Sequence, residues 1–168
     1  WYLDGNNASV VSSDGNKTTV QMGSGYRGDL WLARSGKGKI VNVTPADYRY
    51  FAIKVGFKSQ LVPGKNKPNG CIKLEIFDDG IKKIGPEYFG TGGDANNRYE
   101  ILGASEISTT EPNVLYYDLQ SKYKTVTPTD WNQVFDLVQC KFVIADFPET
   151  AQTYDLYWIR SFKSIEEL

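Results

Sequence analysis

The feature that most constrains the fold is the alternation of apolar and polar residues along most of the chain. In the segment Tyr48–Phe57, apolar side chains occupy alternate positions: Phe51, Ile53, Val55 and Phe57. Because successive side chains of a strand point to opposite faces of a sheet, this pattern predicts a strand with one apolar face. Amphipathic helical periodicity is nearly absent from the chain. The sequence therefore predicts an all-β protein.

The alternating segments are numerous enough to predict two sheets. They are Ala8–Ser12, Thr18–Met22, Leu30–Arg34, Lys39–Thr44, Tyr48–Phe57, Ile72–Asp78, Tyr99–Ser108, Asn113–Leu119, Leu137–Ala145 and Tyr154–Phe162. Asp14-Gly15 and Asp79-Gly80 predict tight turns, because Asp-Gly favours the positive φ angles of hairpins. About ten strands in 168 residues predict a single domain, residues 1–168, built as a two-sheet antiparallel β-sandwich of the jelly-roll type.

Charge and hydropathy exclude several kinds of partner. The formal net charge is -1 and the lysines are scattered, so the basic stripe that binds nucleic acid is missing. No apolar run approaches the roughly 20 residues that cross a bilayer, which predicts no membrane insertion. Because the chain begins at Trp1 rather than Met, we expect a mature product or a module of a longer protein.

The chain lacks the residues of most hydrolytic sites. It contains no histidine, which excludes imidazole-based triads and histidine-ligated zinc. Two carboxylates alone can hydrolyse a glycoside, but Glu75, Glu100 and Glu106 occur singly on predicted strands. The sequence therefore predicts that the protein is not an enzyme. Cys71 and Cys140 show no metal-ligand spacing and are either free thiols or a disulfide between strands.

Aromatic and polar residues are predicted on the outer, solvent-facing side of the sheets. Tyr48 and Tyr50 have the opposite parity to the apolar residues of their strand, and Trp31 lies between two leucines that should point inward. The same reasoning on other strands gives the predicted ligand-binding residues: Arg27, Asp29, Trp31, Tyr48, Tyr50, Tyr116, Asp118 and Gln139. This mixture suits a carbohydrate, because sugars present C–H faces to aromatic planes and hydroxyls to planar polar groups.

Other interpretations of these residues stay open. Aromatic residues are favoured on strands whatever their function, so cross-strand packing alone also explains each ring. A one-residue bulge would invert any of these face assignments. A loop-lined edge is the alternative place for a site, with Arg98, Tyr123 and Trp131 as its residues.

The C-terminal segment carries a resemblance to a known family. Thr153–Ser164 contains the run Tyr-Asp-Leu-Tyr-Trp-Ile-Arg and is followed by Glu166-Glu167-Leu168. This segment resembles the closing strand of jelly-roll carbohydrate-binding modules in secreted and surface polysaccharide-degrading proteins of gut Bacteroidetes. Tyr50–Val55 and Val114–Leu119 are similar to other strands of such modules.

The resemblance implies a galactose-binding-like jelly roll that binds a polysaccharide or oligosaccharide. It also implies an extracellular, cell-surface or periplasmic location in a polysaccharide-utilisation system, with covalently linked catalytic or surface-anchoring domains. Such tails often have Asp before Trp-Ile-Arg, and here Tyr157 takes that place. No cofactor is expected to be required. A structural calcium is left open, with Asp155, Asp78-Asp79 and Asp94 as candidate oxygen donors.

The function that these observations predict is non-catalytic binding of a polysaccharide through the aromatic residues. A structural or protein-interaction spacer is the first alternative, because sandwich folds serve many functions. A glycoside hydrolase-like enzyme is the second, since two carboxylates would suffice for its chemistry. A glycan platform should be aromatic and rich in hydrogen-bonding groups, whereas a protein-docking face should be broader and more apolar.

Overall fold

Nearly all of the regular structure in the described part of the chain is β-strand. The structure, a computed structural model, describes residues 2–5, 8–24, 27–33, 41–43, 47–58, 73–78, 100–118, 135–146 and 150–168. The strands in these ranges are β1 (Tyr2–Gly5), β2 (Ala8–Ser13), β3 (Thr18–Met22), β4 (Arg27–Ala33), β5 (Val41–Val43), β6 (Tyr50–Phe57), β7 (Lys73–Asp78), β8 (Glu100–Ile101), β9 (Asn113–Asp118), β10 (Phe135–Asp146) and β11 (Gln152–Phe162). The prediction of an all-β protein is confirmed.

Helical structure in the described ranges is limited to a 3-10 turn, Ile165–Glu167, near the C-terminus. None of the described residues forms a helix with the length and apolarity needed to cross a membrane.

The strands form two antiparallel sheets. The five-stranded sheet has the order β1-β4-β10-β5, with β7 also paired to β10. The six-stranded sheet has the order β2-β3-β11-β6-β9-β8. At its centre β11 pairs with β6 and β6 pairs with β9, so strands from distant parts of the sequence lie side by side.

One face of the six-stranded sheet, which we call the inner face, is made of buried apolar side chains. They are Val20, Met22, Phe51, Ile53, Val55, Phe57, Leu115, Tyr117, Tyr154 and Leu156. The register sets Phe51 opposite Tyr117, and directly opposite residues share a face. Phe57 and Tyr154 pack edge to face with ring centroids 5.5 Å apart. An apolar face this complete requires a covering layer, and Leu30 of the five-stranded sheet is also fully buried.

The packing of the two sheets face to face stays a prediction. A buried inner face is what the predicted sandwich requires, because each sheet must bury its apolar side against another element.

The hairpin of β2 and β3 has the turn that the sequence predicts. Asp14 Oδ1 accepts hydrogen bonds from the backbone N–H groups of Asn16, at 2.9 Å, and Lys17, at 3.0 Å. These bonds lower the pKa of the Asp14 carboxyl. Gly15 has φ +87°, a conformation that costs residues with a Cβ free energy. The Asp-Gly turn at this position is confirmed.

The predicted strand Tyr99–Ser108 is wrong beyond its first residues. β8 covers only Glu100–Ile101, and the chain then turns at Gly103, where φ is +72°. The buried side chain of Asn113 holds the loop that follows. It accepts from the backbone N–H of Ser108 at 2.8 Å and donates to the Ser108 carbonyl at 2.9 Å. These bonds satisfy loop backbone groups that a strand partner would otherwise satisfy.

Smaller differences concern strand ends. β1 was not predicted, because a short segment that ends in Asp4-Gly5 looks like a turn. β4 begins at Arg27 rather than Leu30, and β10 extends over Phe135–Asp146. The predicted Asp79-Gly80 turn lies outside the described residues.

Candidate functional site

The side of the six-stranded sheet opposite the inner face, here called the outer face, carries aromatic rings among charged residues. Tyr50 of β6 and Tyr116 of β9 meet there with ring centroids 5.9 Å apart and planes at 74°. Arg49 donates to both carboxylate oxygens of Asp118, at 2.7 Å from Nε and 2.5 Å from Nη2. Asp118 is directly opposite Tyr50, so a bidentate ion pair fixes this end of the face beside two rings.

A β-bulge in β11 brings further rings to the outer face. Leu156 is opposite Val55 and belongs to the inner face, yet Trp158 is opposite Lys54, which belongs to the outer face. Tyr157 is the extra residue at this register shift, and such a residue interrupts the alternation of faces. The outward residues after the bulge are Trp158, Arg160 and Phe162.

The ring of the bulged residue, Tyr157, lies on the outer face beside Gly56. A Cβ at Gly56 would stand 3.6 Å from Cε2 of Tyr157 and 3.4 Å from the Cβ of Asp155. Both distances are ordinary van der Waals contacts. The Tyr157 ring therefore packs beside the backbone of β6 at Gly56, where an alanine would also fit.

The outward rings of these three strands form one group, which we call the aromatic platform: Tyr50, Tyr116, Tyr157, Trp158 and Phe162. Each ring is half-buried. Phe162 is directly opposite Tyr50, and the Trp158 and Phe162 rings pack with centroids 5.7 Å apart. Ala52, between Tyr116 and Arg160 in the register, provides a small residue at the centre.

Cations are interleaved with the platform rings. Lys54 Nζ lies 5.5 Å from the Tyr157 ring centroid, and Arg160 Cζ lies 5.3 Å from the Trp158 ring centroid. Both distances allow cation–π attraction, which contributes about 0.5–1 kcal/mol at exposed sites. The platform therefore combines flat apolar surface with hydrogen-bond donors.

The tyrosine hydroxyls add polar groups to the platform. Burial, with smaller contributions from Glu100, Tyr50 and Asp118, raises the pKa of Tyr116. Its hydroxyl is therefore protonated at neutral pH and able to donate a hydrogen bond.

Tyr48 lies at the end of the outer face, just before β6. It is 42% exposed, and Lys163 Nζ stands 5.5 Å from its ring centroid. Tyr48 therefore extends the accessible aromatic surface beyond Tyr50.

A buried carboxylate anchors the other end of the outer face. Lys17 and Lys58 both donate to Asp155 Oδ2, at 2.8 Å and 2.5 Å, and Thr19 Oγ1 donates to Oδ1 at 2.7 Å. Burial raises the pKa of Asp155, but the hydrogen bonds from both lysines and Thr19 outweigh it and hold the pKa at about 2. The carboxylate is thus ionised at neutral pH. It joins β3, β11 and the end of β6.

A cleft of about 90 Å³ opens where the β2–β3 turn lies beside β11. Its lining residues are Ser13, Gly15, Asn16, Lys17, Thr18, Leu156, Tyr157, Trp158 and Ile159. The last paired residues of β3 and β11 are Thr18 and Leu156, so the cleft begins where the pairing of these strands ends. Hydroxyl and amide groups of the turn therefore stand beside two platform rings.

The structure divides the predicted ligand-binding residues between the two sheets. Tyr48, Tyr50, Tyr116 and Asp118 come together on the outer face. The other predicted residues lie on the five-stranded sheet: Arg27, Asp29 and Trp31 on β4 and Gln139 on β10. There Trp31 is opposite Tyr2 and Lys141.

Several predictions fall on residues whose placement the structure does not describe. The alternative edge residues Arg98, Tyr123 and Trp131 are outside the described ranges. Cys71 is also outside them, whereas Cys140 lies on β10.

Sequence reasoning missed Tyr157, Trp158, Arg160 and Phe162 as residues of the outer face. Strict alternation from Tyr154 would put Trp158 on the inner face with Leu156, and the bulge reverses this. Three large side chains in succession, at Leu156 to Trp158, are the sequence signal that could have suggested an irregular strand.

With the outer face described, comparison with known proteins places the chain in a family. The match covers residues 1–168 and is to a family described as "Domain of unknown function (DUF4979)". The chain belongs to the DUF4979 family. A search of the curated proteins found no match. The family description assigns no function, so a function has to be argued from the residues of the outer face.

The described residues also bear on a structural calcium. Asp155, one of the candidate donors, has two lysine ammonium groups on its carboxylate instead. Within the described ranges, no three acidic or cysteine side chains come together as a metal site would need. Asp79 and Asp94 lie outside those ranges.

Proposed function

We propose that the outer face of the six-stranded sheet binds a polysaccharide without cleaving it. The observation that carries the proposal is the aromatic platform, whose half-buried rings alternate with hydrogen-bonding side chains. Sugar rings stack their C–H faces on aromatic planes, and their hydroxyls bond to planar polar groups at the ring edge. Trp158, Tyr50 and Phe162 provide the stacking surface.

Polar groups beside the platform would set the orientation of the sugar chain. The Arg49–Asp118 ion pair puts a guanidinium group and a carboxylate next to Tyr50. Ser13, Asn16 and Thr18 line the cleft next to Trp158. Such groups supply selectivity, because a site built to bond a hydroxyl penalises a ligand that lacks it.

The state of the outer-face carboxylates supports binding rather than hydrolysis. Glycoside hydrolysis needs one carboxylic acid and one carboxylate on either side of the scissile bond. Asp118 pairs with Arg49, and Asp155 pairs with Lys17 and Lys58. Asp155 is held ionised by its two lysines and would not serve as the acid, and both oxygens of Asp118 accept hydrogen bonds from Arg49.

We also infer the setting in which this binding takes place. The inner-face core fits a two-sheet jelly-roll sandwich, and the C-terminal segment resembles carbohydrate-binding modules of secreted and surface proteins. The protein would then act outside the cytoplasm, as a module linked to catalytic or surface-anchoring domains that benefit from proximity to the polysaccharide.

A second candidate function, protein interaction, has one observation in its favour. β2 is an edge strand of the six-stranded sheet, and Val10 and Val11 on it are 53% and 58% exposed. Exposed edge strands pair with other chains. Self-association of the wild type that Val11→Lys abolishes, together with the absence of glycan binding, would favour this candidate.

Affinity electrophoresis against xylan, β-glucan, mannan and pectin tests the proposed function. We expect retardation of the wild type by at least one glycan. The double variant Tyr50→Ala/Trp158→Ala should lose at least about tenfold in affinity, which is about 1.4 kcal/mol. Val11→Ala, on the edge strand away from the platform, should bind like the wild type. No retardation by any of these glycans would contradict the proposal.

A further inference from the structure

The cations of the outer face fall into two groups that differ in their partners. Lys17 and Lys58 share the carboxylate of Asp155, and Arg49 is paired with Asp118. In contrast, no described carboxylate lies within ion-pair distance of Lys54 or Arg160. These two side chains stand over aromatic rings instead.

Lys54 and Arg160 lie on either side of one ring. Lys54 is directly opposite Trp158 across the β6–β11 pair, and Arg160 follows Trp158 two residues later on the same face. Directly opposite side chains have Cβ atoms about 4.5–5.5 Å apart, and alternate residues of a strand are about 6.7 Å apart. Both positive charges are therefore within reach of a single sugar stacked on the part of the Trp158 indole that the Arg160 guanidinium does not cover.

Two further acidic residues of the described part of the chain, Glu100 and Glu167, form no ion pair with Lys54 or Arg160. Glu100 is exposed on β8 at the sheet edge, opposite Tyr116. Glu167 accepts a hydrogen bond from the backbone N–H of Lys163 after the end of β11. The charge around Trp158 is thus positive among the described residues, on a chain whose formal net charge is -1.

A neutral sugar would leave this positive charge unmatched, whereas a uronic acid would match it. The carboxylate of a uronic acid projects from the edge of the ring, so stacking on the indole directs the carboxylate outward toward the flanking cations. The guanidinium fork of Arg160 suits two parallel hydrogen bonds to a carboxylate, and Lys54 adds a point charge.

We propose that the aromatic platform selects uronic acid residues, with Trp158 stacking on the sugar and Arg160 and Lys54 binding its carboxylate. This inference rests on the proposed glycan binding and names the class of polysaccharide, an acidic one. Stacking provides binding to the sugar ring, and the two cations provide the preference for the carboxylate.

Calorimetry with matched glycans tests the inference. The probes are polygalacturonate and glucuronoxylan, each beside its carboxyl-reduced, neutral form. We expect carboxyl reduction of the preferred glycan to weaken binding about tenfold or more, the size of a charge-assisted hydrogen bond. Binding of the acidic form should also weaken as salt is raised.

Variants separate the roles of the ring and the cations. Arg160→Gln should lose most of the preference for the acidic form, because only Lys54 then faces the carboxylate, and Arg160→Lys should keep more of it. Trp158→Ala should lose affinity for both forms. Lys73→Gln, which removes one positive charge from the five-stranded sheet, should keep the wild-type preference.

Failure of the inference is distinct from failure of the proposed function. Equal affinity for the acidic and carboxyl-reduced forms, or binding to neutral glycans alone, would overturn the selection of uronates and leave glycan binding in place. Binding to no glycan would overturn both. A preference for the acidic form that is as large in Arg160→Gln as in the wild type would overturn the role of Arg160.

Discussion

At the scale of single residues, Asp155 shows how a buried charge organises this sheet. Its side chain is only 3% exposed, yet it is ionised because two ammonium groups and a hydroxyl surround it. Breaking a buried ion pair by removing one partner is costly, since the remaining charges lose their compensation. This group of four side chains, Asp155 with Lys17, Lys58 and Thr19, connects the β2–β3 hairpin to β11 at the border of the cleft.

Asp155→Asn should therefore destabilise the protein. We expect the free energy of unfolding at pH 7 to fall by about 2 kcal/mol, because the charge-assisted hydrogen bonds of both lysines are lost while their ammonium groups still reach solvent. Urea unfolding followed by far-UV circular dichroism measures this. Glu106→Gln, at an exposed position, is the control and should change little. If Asp155→Asn lowered the free energy of unfolding no more than Glu106→Gln does, the charge of Asp155 would not contribute to stability.

The pKa of Asp155 also sets a pH dependence of stability. It lies at about 2 in the folded protein against an ordinary 3.8, so the unfolded chain binds the proton first as the pH falls. The stabilisation is complete well above 3.8, declines through this window and is lost below about 2; it amounts to about 2 kcal/mol. The stability gap between wild type and Asp155→Asn should narrow over this pH range. A difference in the free energy of unfolding that stays constant over this pH range would contradict the lowered pKa of Asp155.

At the level of strands, alternation predicted where most strands lie, but it assigned the residues of β11 after Tyr157 to the wrong faces. The period of two placed most strands within a few residues, because half-buried strands must alternate. Strand Tyr99–Ser108 failed after Ile101, since Asn113 satisfies the loop with its side chain. The bulge at Tyr157 could not be predicted from period alone, because one extra residue reverses every face after it.

Deletion variants test the bulge. Deleting Tyr157 should give a folded protein with a regular β11, because Leu156 and Trp158 then alternate across consecutive positions as the register requires. Deleting Ile159 instead should unfold the protein or cost several kcal/mol, because it forces Arg160 toward the inner face. Circular dichroism and urea unfolding compare the two. An equal loss in the free energy of unfolding from both deletions would contradict a bulge at Tyr157.

At the scale of the whole molecule, the sequence could predict outward residues but not their neighbours. The parity of Trp31 and of Tyr50 gave no information on which strands pair, since pairing depends on contacts between distant segments. The structure puts Trp31 on the five-stranded sheet and Tyr50 on the six-stranded sheet. The two rings that were predicted to act together therefore belong to different sheets.

The segment that carries the C-terminal resemblance lies on the outer face, although neither the resemblance nor parity reasoning named its residues as ligand-binding residues. The Tyr-Trp-Ile-Arg run contributes Tyr157, Trp158 and Arg160 to the outer face, opposite β6. The chemistry of the proposed site thus depends on the last strand of the chain as much as on Tyr50 and Tyr116. We propose that this strand binds the glycan.

The most direct test of that claim is a calorimetric comparison of Trp158→Ala with Trp31→Ala, each confirmed as folded by circular dichroism. The titrant is the polysaccharide that retards the wild type most strongly in affinity electrophoresis. We predict that Trp158→Ala loses at least about tenfold in affinity while Trp31→Ala binds like the wild type. Loss of binding in Trp31→Ala with full binding in Trp158→Ala would contradict the claim and move the site to the five-stranded sheet.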